Sequence, residues 1–198
     1  MADIALFHSV LGVRPGILDA GDRLRSRGHQ VLVVDQYDGR VFDDYQQADA
    51  YSQQIGGFPE LMGRALAAVK PLPDGFLCVG FSNGAGMGEY VALQRPVSGV
   101  VMCSGALPVE MIGGDAWPAG VPAQIHCTLG DPLRPAGWAE TVARSVTTAG
   151  GHIDLHEYPG TGHLFTDASL PDEYDPAAAE LLWQRVHAFC QQHGQPAT

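Results

Sequence analysis

The chain has 198 residues, 45% hydrophobic and 17% charged, with a net charge of −11 and a single lysine, Lys70. That length suits one domain, 1–198, able to bury about 70% of its unfolded surface, and no run approaches the ~18 consecutive apolar residues needed to span a bilayer. Without clustered cations to neutralise phosphates, nucleic acid and membrane surfaces are excluded as expected partners.

The start, MADIALFHSVLG, carries Asp3 and no basic segment, so it reads as a first strand (3–8) rather than a signal peptide, and a cytoplasmic location is expected. A helix follows from Pro15 to Gly28, with Ile17, Ala20, Gly21 and Leu24 at helical spacing, Pro suited to its first turn and Gly to its end. QVLVV (30–34) is the second strand. Residues 43–54, acidic and rich in Gln, read as a surface loop or as a flap over a binding site. Beyond them the pattern predicts a helix near 59–70, a strand at 75–80, a helix at 83–94 and a strand at 97–103. A Gly/Pro-rich loop (105–121), a strand at 123–129, a helix near 135–149 and a strand at 152–157 come next. The last helix starts at Asp175-Pro176 and runs to about His193. Six strands joined by helices or long connections imply an α/β fold, a mainly parallel sheet with helices on both faces. Ligands in such sheets bind at the carboxyl ends of the strands.

The four cysteines, Cys78, Cys103, Cys127 and Cys190, have no C-x-x-C spacing and lie mostly within apolar runs, so buried free thiols are expected and no zinc site. Gly84, Gly86 and Gly88 resemble a dinucleotide loop but follow the third strand rather than the first, and no Gly-Lys-Ser/Thr occurs. Gly80-Phe81-Ser82-Asn83-Gly84 matches G-x-S-x-G, in which a sharp strand-to-helix turn demands small residues on both sides of the nucleophile. It follows the strand FLCVG and opens the helix GMGEYVALQ. Asp131 stands just past a later strand and His163 just past the last one, giving the chain order Ser, Asp, His of this fold. Singly, Asp131 also reads as a turn residue and His163 as a loop histidine; together with the elbow they predict a triad.

These residues resemble the dienelactone hydrolase family of α/β-hydrolases. The likeness extends over FHSVLGVRPG (7–16), VVDQYDGR (33–40), the elbow, HCTLGDPLRP (126–135) and YPGTGHLFTD (158–167). It implies Ser82 as nucleophile, His163 as general base and acid, Asp131 as its orienter, and an oxyanion hole from the N–H groups of Val10 and Asn83. Well-known members carry cysteine where Ser82 stands, glutamate at Ser9, and at Asp167 an arginine that binds substrate carboxylate. Asp167 is therefore expected to repel anions beside His163. The expected activity is hydrolysis of a small-molecule carboxylic ester or lactone through an acyl-enzyme, with no metal or organic cofactor. The alternatives are a silent ligand-binding member and a C–C bond or other acyl-transfer hydrolase. Ser9, Arg14, Phe81, Trp117 and Phe165 are candidates for the substrate pocket. Oligomeric state is not encoded in any recognisable pattern.

Overall fold

The computed structural model describes residues 1–194. Its strands are β1 (Asp3–Phe7), β2 (Gln30–Val34), β3 (Phe76–Phe81), β4 (Val97–Cys103), β5 (Ala123–Thr128) and β6 (Ile153–Tyr158). They form one sheet in the order β2-β1-β3-β4-β5-β6, every pairing parallel. The helices are α1 (Pro15–Ser26), α2 (Tyr45–Gln54), α3 (Gly57–Ala68), α4 (Asn83–Gln94), α5 (Trp138–Thr148) and α6 (Pro176–His193).

The period-two alternation of the strands sorts the core into two layers. On one face Ala5, Phe7, Cys78, Val100, Met102 and Ile125 pack with Leu61 and Ala65 of α3, Met87 and Val91 of α4, and Val142 and Val146 of α5. On the other, Ile4, Leu6, Leu77, Val79 and Val101 pack with Leu24 of α1 and with Leu182, Trp183 and Phe189 of α6. Covered on both sides, β3 has no polar position at all, FLCVGF, as a central parallel strand requires. Each large side chain so buried contributes about 1.5–3 kcal/mol.

Helices thus cover both faces, as the sequence predicts, with β2, α4 and β4 at the expected bounds and the other boundaries shifted by at most three residues. The larger difference is at 43–54, expected as a loop or flap: most of it is helix α2. Asp44 caps it, its carboxylate accepting the Gln47 N–H at 2.8 Å. Only Ala48 and Ser52 of α2 are fully buried, so no apolar stripe advertised it.

Strand order reverses between β1 and β3, and the crevice at their carboxyl ends is where such sheets hold ligands. The loop after β1 is tied down there, because Leu11 C=O accepts the Phe42 N–H at 2.9 Å and Gly12 bridges to Val41. No helix among the described residues is long and apolar enough to cross a membrane.

Candidate active site

Ser82 lies between the end of β3 and the first residue of α4 with φ 53° and ψ −117°, a backbone conformation seldom adopted by a residue with a side chain. The turn is held by close backbone packing. A Cβ on Gly80 would run into the carbonyl of Gly84, and one on Gly84 into the carbonyls of Phe7 and His8. The two glycines of the motif are therefore steric requirements, and the strained serine between them is lifted clear of both elements.

His163 reaches Ser82 from the loop after β6. Its Nε2 is 2.7 Å from Ser82 Oγ, and its Nδ1 is 2.7 Å from Asp131 Oδ2. A carboxylate accepts only, so Nδ1 carries the proton and Nε2 is free to accept from the hydroxyl. The other oxygen of Asp131 accepts the Leu133 N–H at 2.8 Å, which fixes the carboxylate against rotation. Asp131 and His163 are 8% and 6% exposed. The structure thus brings the three predicted residues into one hydrogen-bonded chain.

Asn83 is the first residue of α4, so its N–H has no partner within the helix. In the loop after β1, Gly12 donates to the Ser9 carbonyl and Leu11 to the Ser9 hydroxyl, while the Val10 N–H between them donates to no group among the described residues. Val10 and Asn83 both line the cavity that contains Ser82 and His163.

That cavity has a volume of about 200 Å³. Its walls include Tyr45 from α2, Ala106 and Leu107 after β4, Ile125 and Cys127 of β5, and Trp138 and Ala139 of α5. None of these was expected from the sequence to line a pocket; Cys127 stood out there only as a buried thiol. The Tyr45 ring stands edge-on to the His163 ring, centroids 6.1 Å apart, and its hydroxyl faces the Glu173 carboxylate oxygens at 2.9 and 3.1 Å. Glu173 also accepts the N–H of Leu164, the residue after His163, at 2.6 Å. Burial, and then the Glu173 carboxylate, push the Tyr45 phenol well above its usual range. Burial likewise pushes the Cys127 thiol up to about 11.

The residues expected around the substrate lie elsewhere. Phe81 packs behind the elbow against Trp183, Phe165 against Tyr158, and Trp117 is a core residue whose Nε1 donates to the Val121 carbonyl at 2.9 Å. Phe81 and Phe165 belong to the layer on one face of the sheet and Trp117 to the layer on the other. Ser9 turns its hydroxyl onto its own loop. Arg14, 7% exposed, donates to the Phe42 carbonyl at 2.6 Å and to Ser169 Oγ at 3.1 Å, with Nε 3.6 Å from Asp167. Asp167 in turn accepts from Ser169 and is 6% exposed. The expected anion-repelling role of Asp167 therefore has no geometric basis: its charge is met by Arg14 in a compartment behind the cavity.

The dienelactone hydrolase family model matches residues 2–194. The chain belongs to the dienelactone hydrolase family. A dienelactone hydrolase-like promiscuous phosphotriesterase from metagenomic libraries superposes with a TM-score of 0.79 at 19% identity, covering 98% of this chain and 87% of that one. The dienelactone hydrolase of Anabaena variabilis gives 0.72 at 15% identity, covering 98% and 88%. Mouse alpha/beta hydrolase domain-containing protein 10 gives 0.69 at 14%, covering 96% and 90%. At these identities the likeness establishes the α/β-hydrolase fold. Among curated proteins the sequence has no match. Family membership supports a hydrolase, and among the described residues no group of three or more His, Cys, Asp or Glu side chains is placed to hold a metal ion.

Proposed function

We propose that this member of the family is a serine hydrolase acting on a carboxylic ester or lactone. The observation that carries the reading is the continuous chain from Ser82 Oγ through His163 to Asp131, each link 2.7 Å, opening into an apolar cavity. Ser82 Oγ attacks the carbonyl carbon as His163 Nε2 takes its proton. The carbonyl oxygen becomes an oxyanion held by the N–H groups of Val10 and Asn83, whose stabilisation is worth about 3 kcal/mol per donor. The carbon–oxygen bond to the leaving group then breaks, and His163 returns the proton to the departing alkoxide, leaving Ser82 acylated. Water repeats the sequence: His163 takes its proton, its oxygen bonds to the acyl carbon, and Ser82 departs reprotonated with release of the acid. Asp131 holds the imidazole in the tautomer that both steps need.

Ser82→Ala should lower kcat by about 10⁴–10⁶ and abolish labelling by a fluorophosphonate, with the fold retained. Asp131→Asn should cost up to about 10⁴ in kcat. Unchanged turnover in the alanine variant contradicts the proposal.

A further inference from the structure

The lining of the cavity deepens the hydrolase reading, on which it rests, to a class of substrate. From it we infer that the substrate is an uncharged ester whose acyl part is a short apolar group, and that a carboxylate on that part is rejected. Three observations converge. First, at about 200 Å³ the cavity is below the ~300–1,000 Å³ of pockets that take drug-sized ligands, so it suits a short acyl group rather than a long one.

Second, the wall is mostly apolar, with Ala106, Leu107, Ile125, Leu133, Trp138 and Cys127 among its members, and besides Ser82 and His163 its polar side chains are Tyr45, Asn83, Ser104 and Arg134. Burial keeps the Cys127 thiol protonated at neutral pH, so it presents a small apolar surface and no charge.

Third, both cations in reach of an anion are already taken. Among the described residues lining the cavity, Arg134 alone carries a fixed charge, and its Nη2 lies 2.8 Å from Glu157 and 3.5 Å from Glu140. One guanidinium facing two carboxylates offers an incoming anion no net attraction. Arg14 is buried outside the cavity, paired with the buried Asp167 and the exposed Asp43. A carboxylate entering the apolar lobe would lose its hydration without gaining a partner, which is the costly case for a charge.

The test is kcat/KM of the full-length enzyme for p-nitrophenyl esters from acetate to decanoate, beside hemiesters of dicarboxylic acids with matched chain length. Each methylene that enters the cavity should raise kcat/KM about threefold to fourfold, up to an optimum near hexanoate. The hemiester of equal length should be at least about tenfold poorer. Leu107→Ala, at the partly exposed wall, should move the optimum to longer chains. A flat chain-length series overturns the inference, as does a preference for hemiesters; if that preference disappears in Arg134→Gln, Arg134 is the anion anchor. Either result with intact fluorophosphonate labelling leaves the serine mechanism standing. Absence of both turnover and labelling defeats the mechanism, and the substrate class with it.

Discussion

Arg14 and Asp167 form a buried pair, Nε to carboxylate 3.6 Å, that joins the loop after β1 to the loop carrying His163. Asp167 sits where a Cβ on Gly16 would collide with its carboxylate, so the small residue in the first turn of α1 makes room for the anion. Through Phe42 and Asp43 the same guanidinium also holds the approach to α2. Three segments bearing Val10, Tyr45 and His163 are thereby fixed by one side chain.

Removing one partner of such a pair strands a buried charge. Asp167→Ala should cost about 3 kcal/mol, within the range for broken buried pairs, and lower Tm by about 6–12 °C for a chain of this length. Asp167→Arg should be worse, since it sets two guanidinium groups together. Denaturant unfolding checks both. Undiminished stability in Asp167→Arg, with better turnover of anionic esters, would place Asp167 at the substrate after all.

Glu89 is fully buried within α4, and its carboxyl accepts the Leu107 N–H at 3.0 and 3.2 Å. It thus props the segment that forms one wall of the cavity. Burial raises its pKa well above the ordinary 4.5, only partly opposed by that hydrogen bond. The folded state therefore keeps a proton that the unfolded chain gives up. This contribution to stability is complete below pH 4.5 and is lost as pH rises toward the folded-state value. Glu89→Gln, which cannot ionise, should gain on the parent protein steadily as pH rises from about 4 to 8. Unfolding curves across that range check it; a stability difference that does not change with pH would mean the carboxyl is ionised in the fold.

Glu173 accepts from the residue after His163 and from Tyr45, whose ring lies against the imidazole. Glu173→Ala frees that loop, and a displacement near 1 Å is enough to cost about 10²-fold in rate. We expect a loss of tenfold to a hundredfold falling mainly on kcat, with Tyr45→Phe, which keeps the ring, losing less. An effect confined to KM would make the pair a substrate contact instead of a support for His163.

The elbow and the order of Ser82, Asp131 and His163 were legible because their constraints are local: glycines flanking one serine, and residues just past strand ends. The two-layer sheet was legible from apolar runs for the same reason. What surrounds the substrate was not. Tyr45 meets Glu173 across 128 positions, and α2 presents no apolar stripe. Phe81, Trp117 and Phe165 have the residue types of a pocket, but whether an aromatic beside an elbow faces the crevice or the core is decided by strand exit and packing. Arg14 and Asp167 misled for a related reason: each looks like a free charge until the fold brings them together.

The central claim is that acyl groups pass through Ser82. Rapid acid quench during turnover of p-nitrophenyl butyrate, followed by peptide mapping, tests it most directly. The account predicts the butyryl mass on the peptide containing Ser82, accumulating in Asp131→Asn if that change slows deacylation more than acylation, and absent from Ser82→Ala. A butyryl group found on Cys127, or steady turnover persisting in Ser82→Ala, would contradict it.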